Sequence, residues 1–269
     1  MKITQLVDRY GSNRMNAHRP AEFLKGCTCI NVPFAGGLCE VAHFKANVIN
    51  VNDLDRHVMN LAEVVRDRRE ELQAKLDATP FHPDVLAKAQ DICRRKRPSE
   101  YPCFDWAYHY FIASWMTRGG KMGSRGEFDH GLSVRWKATG GDSVVRFRNA
   151  TESLTEWQEV MRRCTFHTLN AFDFLAECLK RDTEEAGIYC DPPWPDDGDV
   201  YNHKFPEAAQ RRLALTLGNF QRAKIIVRYG DHPLIRELYP EAHWTWHKMQ
   251  GRTQANGSKE EALIVRNRG

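Results

Sequence analysis

The run Asp191-Pro192-Pro193-Trp194 has the residue types most able to do chemistry, and it follows the apolar residues 188–190. Proline has no N–H to donate to a sheet, so a strand that begins in the apolar run must end at Asp191. Its carboxyl end, where open α/β sheets bind ligands, then presents a carboxylate, free carbonyls and an indole. The oxygens can accept from an amino group and the indole can stack on a ring, as a flipped-out nucleobase requires. The alternative is a proline turn with a core tryptophan and a solvated aspartate.

A second candidate segment is Pro33-Phe34-Ala35-Gly36-Gly37. It lies between a predicted strand at residues 29–32 and a predicted helix from Leu38 to about Lys45. A strand, a glycine pair and a helix start allow a ligand to approach the backbone closely. The spacing is not the GxGxxG dinucleotide fingerprint.

Two acidic residues follow predicted strands. Asp53 follows residues 47–51 and is placed to bind ribose hydroxyls, which its distance from the glycine pair favours. It could equally be the N-cap of a helix predicted from Leu54 to Arg68, with Asn52 and Asp55 as rivals. Asp173 lies between Phe172 and Phe174 after a predicted strand at 165–169. It could accept from a purine amino group while a ring packs on the base, or it could only cap a helix.

The middle of the chain has a glycine-rich basic loop and two alternating segments, 132–137 and 143–148, which predict a β-hairpin. Cations there suit contacts with nucleic-acid phosphates, although an ordinary exposed hairpin is the alternative. The loop 195–205 after Trp194 is predicted to be a mobile lid. The residues predicted to contact nucleic acid are Arg118, Lys121, Arg125, Arg135, Lys137, Arg146, Arg148, Tyr201 and Lys204.

Composition sets broad limits on the class of protein. The 269 residues are enough for one large α/β domain with an insert, and no apolar run approaches ~20 residues, so no membrane span is expected. The formal net charge of +4 fits a nucleic-acid partner without requiring one. The N-terminus lacks the apolar core of a signal peptide, so the eight cysteines are expected to be reduced thiols. Their spacing predicts no metal site.

Taken in order, these segments resemble the Dam-type family of DNA adenine-N6 methyltransferases. Residues 33–37 resemble its S-adenosylmethionine loop, Asp53 its ribose-binding acid, and residues 191–194 its catalytic Asp-Pro-Pro-aromatic motif. Residues 10–14 lie where the family has a glycine-lysine segment, and residues 259–264 resemble its closing strand. Trp194 stands where tyrosine is commoner, the double glycine and lysine are missing from residues 10–14, and the glycine loop lacks a further glycine. Residues from about 66 to about 160 match least.

The resemblance implies a Rossmann-like class I methyltransferase sheet, mostly parallel with an antiparallel C-terminal strand, and a helical and hairpin insert for target recognition. The catalytic domain would comprise residues 1–65 and 161–269, and the DNA-binding insert residues 66–160. Catalysis would be assigned to Asp191, Pro192, Pro193 and Trp194. The residues implied to bind S-adenosylmethionine are Tyr10, Asn13, Arg14, Pro33, Phe34, Ala35, Gly36, Gly37, Asp53, Phe172, Asp173 and Asp191.

The implied reaction is direct methyl transfer to adenine N6 in double-stranded DNA without a metal. Asp191 and the Pro192 carbonyl would accept the amino hydrogens, and Trp194 would stack on the extruded base. The protein would be a monomer or dimer in the cytoplasm of a bacterium or a phage-infected cell. Cytosine-N4 methylation of DNA, adenine-N6 methylation of RNA, and a catalytically silent nucleic-acid binder are the alternatives.

Overall fold

The computed structural model describes residues 5–95, 100–136, 141–195, 200–252 and 258–267. The chain forms two compact units. The helical unit comprises residues 1–12, 36–42 and 55–163, and the sheet unit comprises residues 13–35, 43–54 and 164–269. Lys137 and most of the acidic part of the predicted lid, residues 196–199, lie outside the described residues.

The sheet unit has a seven-stranded sheet in the order β3-β2-β1-β4-β5-β7-β6. The first five strands in this order are parallel, and β7 is antiparallel to both β5 and β6. The predicted α/β class is confirmed, as is the mostly parallel sheet with an antiparallel C-terminal hairpin, and the arrangement is compatible with a Rossmann-like fold. The strands are β1 (Cys29–Val32), β2 (Val48–Asn52), β3 (Cys164–His167), β4 (Ala186–Cys190), β5 (Lys224–Gly230), β6 (Trp244–Arg252) and β7 (Ser258–Arg266).

The helices are divided between the two units. Those of the sheet unit are α1 (Arg19–Phe23), α7 (Ala171–Leu179), α8 (Glu207–Gly218) and α9 (Pro233–Leu238). Those of the helical unit are α2 (Arg56–Asp77), α3 (Pro83–Arg94), α4 (Phe104–Met116), α5 (Ser143–Glu152) and α6 (Leu154–Met161). No helix among the described residues is long and apolar enough to cross a membrane.

The core of the sheet unit forms around β4, in which every residue is buried, as expected of a central parallel strand. Ile188 and Cys190 pack with Val227 of β5 and with Leu213 and Leu217 of α8. Each such apolar side chain stabilises the fold by about 1.5–3 kcal/mol when it is fully buried. The packing of this core therefore holds the end of β4 in place, and with it the backbone of Asp191.

The predicted hairpin at residues 132–148 is wrong, because residues 143–148 form the first part of α5. Asp142 caps this helix by accepting a hydrogen bond from the N–H of Val144. Phe147, Ala150 and Thr151 are buried with Ser143 on one helical face. The alternation of apolar and basic residues was therefore part of a helical pattern that continues beyond Arg148.

The predicted helix from Leu38 to Lys45 is also wrong, because the chain forms only a single 3₁₀ turn at Val41–His43. Gly36 has φ +53° and Leu38 has φ +65°. A backbone in the left-handed region at Leu38 cannot start a right-handed helix there. Residues 36–42 therefore do not form the predicted helix, and they belong to the helical unit.

Candidate active site

The carboxyl ends of the parallel strands meet at one edge of the sheet. β1 and β4 are parallel neighbours at its centre, and the chain continues to β2 on one side of this pair and to β5 on the other. A change in strand order of this kind opens a crevice in α/β sheets. Residues 33–35, Asp53 and residues 191–194 leave the sheet at this edge, all within the sheet unit.

Asp191 is held by an arginine from the neighbouring strand. Its Oδ2 lies 2.7 Å from Nη1 of Arg228 on β5, and the side chains are 18% and 8% exposed. The indole N–H of Trp194 also donates a hydrogen bond to the Asp191 carboxylate. The pKa of Asp191 is raised from its usual value, because burial outweighs Arg228 and this hydrogen bond, which act to lower it. The carboxylate thus lies at the edge of the sheet in a fixed orientation.

A second carboxylate balances the arginine. Glu261 on β7 is 3% exposed, and its Oε2 accepts hydrogen bonds from Nε and Nη2 of Arg228 at 3.1 Å and 2.5 Å. Its Oε1 accepts from the side-chain amide of Asn16 at 2.8 Å. The guanidinium carbon of Arg228 also lies 5.2 Å from the ring centroid of Trp194. One cation between two carboxylates leaves one excess negative charge at the strand ends when all three groups are ionised.

The proline turn is fixed from below by α8. Gln210 is fully buried and donates a hydrogen bond of 2.7 Å to the carbonyl of Pro193. Its side-chain oxygen accepts from the hydroxyl of Tyr229. The carbonyl of Pro192 accepts no hydrogen bond from the residues that the structure describes. The turn therefore has one carbonyl, that of Pro193, bonded within the protein, and a second, that of the buried Pro192, which has no donor among the described residues.

Replacing Gln210 with methionine is expected to lower the free energy of unfolding by about 2 kcal/mol, because it leaves the half-buried carbonyl of Pro193 and the buried hydroxyl of Tyr229 without this partner. Urea denaturation measures the change. Gln221→Met is the matched control, since that side chain is exposed and donates only a long hydrogen bond of 3.4 Å to Asn219. Equal stabilities for the two variants would contradict this role of Gln210.

Asn52 joins the loops after β1 and β3 to the end of β2. Its buried amide donates to the carbonyls of Pro33 at 3.0 Å and Leu169 at 3.1 Å, and accepts from the N–H of Leu169 at 2.8 Å. Its backbone carbonyl accepts from the N–H of Ala35 at 3.0 Å. Two of these four hydrogen bonds, those with Pro33 and Ala35, set the path of the predicted cofactor loop, and the two with Leu169 hold the loop after β3.

The alternative capping roles of the two acids are wrong. Asp55 caps α2 by accepting from the N–H of His57, and Asn170 caps α7 by accepting from the N–H of Phe172. Asp53 is buried at the end of β2, and Asp173 lies in the first turn of α7. Asp53 at the end of β2 and Asp173 in the helix that follows β3 remain compatible with ligand binding.

Three phenylalanines form an aromatic surface at this edge. The ring of Phe205 lies edge-on to Phe34 at 5.5 Å between centroids, and it stacks on Phe172 at 6.1 Å. The guanidinium carbon of Arg212 lies 4.0 Å from the centroid of Phe172. All three rings are half-buried against the core of the sheet unit. Rings that are packed on one side and partly exposed on the other can contact a planar ligand.

The remaining residues predicted to bind the cofactor divide between the units. Tyr10, Gly36 and Gly37 belong to the helical unit, where a Cβ at Gly37 would lie 2.8 Å from Oγ of Ser12. Asn13 and Arg14 belong to the sheet unit. Asn13 is buried, and its Nδ2 has no partner among the described residues, whereas Arg14 is exposed.

Most of the predicted nucleic-acid contacts lie on the helical unit. Arg118, Arg135 and Arg146 line a cavity of about 520 Å³ there. Arg146 is also an internal bridge, because it pairs with Asp8 at 2.8 Å and donates to two backbone carbonyls. Arg125 and Arg148 are exposed and Lys121 is half-buried, while on the sheet unit Lys204 is exposed and Tyr201 is half-buried.

Four side chains of this site were not found from the sequence: Gln210, Arg228, Glu261 and Phe205. Arg228 had a detectable signal, since a single arginine inside an apolar strand has to find a buried partner. The others lie in ordinary helix, strand and loop patterns, and only the fold brings them to Asp191 and Phe172.

No protein-family model matches the chain, and no curated protein shows significant similarity to it. Within the described ranges, no group of three or more His, Cys, Asp or Glu side chains is arranged to hold a metal ion.

Proposed function

We propose that this chain is an S-adenosylmethionine-dependent methyltransferase that methylates N6 of adenine in double-stranded DNA. The observation that carries the proposal is the Asp191 carboxylate, which Arg228 holds at the end of the central strand directly before the proline turn. The strand order, with β7 antiparallel between β5 and β6, further supports a class I methyltransferase sheet.

The two acceptors suit the chemistry of an aromatic amine. The lone pair of adenine N6 is delocalised into the ring, so the nitrogen is a poor nucleophile. Asp191 and the Pro192 carbonyl would accept hydrogen bonds from its two N–H groups and make the nitrogen more tetrahedral. Trp194 would contact the adenine ring. Positioning and preorganised electrostatics then supply most of the catalysis.

The residues at the neighbouring strand ends fit S-adenosylmethionine. Asp53 would accept from ribose hydroxyls, Phe34 and Phe172 would contact the adenine ring, and the backbone at Pro33–Ala35 would pass beside the ligand. The excess negative charge of the Asp191, Arg228 and Glu261 group complements a cationic ligand. When bound, the cofactor supplies an electrophilic methyl group attached to a positively charged sulfur.

The helical unit would supply DNA contacts and so act as the target-recognition region. The exposed cations Arg118, Arg125, Arg135 and Arg148 suit phosphate binding. Beside Arg135, the indole of Trp136 is 92% exposed, and a ring of this kind can contact a base or sugar.

Incubation of the purified chain with methyl-labelled S-adenosylmethionine tests this function, using duplex DNA and RNA as competing substrates. We expect label in DNA and binding of the cofactor by calorimetry. Label in RNA alone would indicate an RNA methyltransferase. Absence of both cofactor binding and transfer would indicate a silent nucleic-acid binder.

A further inference from the structure

Arg228 is an exceptional residue of β5, whose other residues from Ile225 to Gly230 are apolar or glycine apart from Tyr229. A buried cation loses hydration, so it is tolerated only with close partners. Arg228 has such partners in Asp191 and Glu261. An apolar residue would suit this strand better, so the arginine points to a requirement at the strand ends.

The nitrogens of Arg228 divide between its two carboxylate partners. Nη1 contacts Asp191, whereas Nε and Nη2 both contact Oε2 of Glu261. Asn16 holds the other oxygen of Glu261. Close packing surrounds this glutamate, since a Cβ at Gly251 would lie 2.7 Å from its carboxylate carbon. The arginine is therefore oriented by Glu261 and presents Nη1 to Asp191.

Several groups act on the protonation of Asp191. Arg228 from β5 and the indole N–H of Trp194 from the turn lower its pKa, whereas burial and the charge of Glu261 from β7 raise it. Within the part of the chain that the structure describes, the Cys190 thiol and the Tyr229 hydroxyl also interact with this carboxyl. Without Arg228, burial and Glu261 would act together to favour the protonated form, which is a weaker acceptor for an amino N–H.

We propose that Arg228 is a positioning residue that fixes the Asp191 carboxylate beside the proline turn and keeps it ready to accept a hydrogen bond from the substrate amino group. Glu261 and Asn16 hold the arginine for this task. The proposal rests on the proposed methyl transfer for its catalytic meaning. The state of Asp191 itself can be measured without any substrate.

Arg228→Met tests the proposal through the pH dependence of kcat and through ¹³C NMR titration of the Asp191 carboxyl, assigned by its loss in Asp191→Asn. Because the variant loses the Arg228 cation next to Asp191, the midpoint of the kcat profile and the midpoint of the NMR titration are both expected to rise by about 1–3 pH units. Activity should then be lost at acid pH and recovered at alkaline pH. Arg228→Lys, which keeps the charge but not the fork, should recover part of the activity.

The double variant Arg228→Met with Glu261→Gln distinguishes two roles of Arg228, which are to orient Asp191 and to neutralise Glu261. It also removes the unpaired Glu261 charge that could unfold the single variant. Under the proposal it stays less active than the wild type, and its acid midpoint stays high. A wild-type pH profile and titration in either variant would overturn the proposal, because Arg228 would then only neutralise Glu261. Arg236→Met is the control, since Arg236 also pairs with an aspartate and lies 4.1 Å from an indole centroid.

The methyltransferase proposal and the Arg228 proposal fail on different measurements. If the wild-type protein transfers no methyl group, the methyltransferase proposal fails. The NMR titration of wild type, Arg228→Met and the double variant still decides whether Arg228 holds Asp191 in its ionised form.

Discussion

Asp191→Ala is expected to lower methyl transfer by roughly 10²–10³-fold, as does the loss of one preorganised hydrogen-bonding group in other enzymes. Arg228 keeps its two contacts with Glu261 in this variant, so the fold should be retained. The dissociation constant for S-adenosylmethionine should rise far less than the transfer rate falls, because one carboxylate charge is lost while Asp53 and residues 33–35 are unchanged. Single-turnover assays measure the first effect and calorimetry the second.

Asp231→Ala is a matched control for Asp191→Ala. Asp231 also follows a strand directly and pairs with an arginine, with 2.8 Å between its Oδ1 and Nε of Arg236. It lies next to the end of β5 but is not part of the proline turn. Loss of transfer in both variants, or in neither, would contradict the role assigned to Asp191.

Asn52→Ala is expected to lower the free energy of unfolding by about 3 kcal/mol, because three side-chain hydrogen bonds are lost and the buried carbonyl of Pro33 loses this partner. Asn52→Asp should be at least as destabilising, since a carboxylate would face the carbonyls of Pro33 and Leu169. Cofactor affinity should fall as well, because the path of residues 33–35 depends on this amide. Urea denaturation and calorimetry measure the two effects.

Asn47→Ala provides the comparison for Asn52. Its exposed side chain lies at the start of the same β-strand region, where the backbone N–H donates to Thr28. Its removal should leave both stability and cofactor affinity unchanged. An Asn52→Ala variant as stable as this control would show that the loops are held by other contacts.

The sequence was sufficient to predict where β4 ends. A short apolar run followed by two prolines leaves little freedom, so β4 and the position of Asp191 followed from backbone hydrogen bonding alone. The parallel arrangement then placed Pro33 and Asp53 at the same edge. Such predictions depend on neighbours along the chain.

The errors and omissions came from contacts between distant residues. The window 143–148 alternates like a strand, and only the burial of Ala150 and Thr151 beyond it shows the helical period. Likewise, Arg228 and Glu261 are 33 residues apart and meet because β5 pairs with β7. Local pattern contains no information on such pairings.

The most direct test of the central claim is mass spectrometry of nucleosides from duplex DNA that has been incubated with the protein and S-adenosylmethionine bearing a deuterated methyl group. We expect deuterated N6-methyladenine with the wild-type protein and almost none with Asp191→Ala. Label confined to N4-methylcytosine would contradict the assignment of adenine. Equal labelling by the two proteins would contradict the assignment of the Asp191 strand end as the active site.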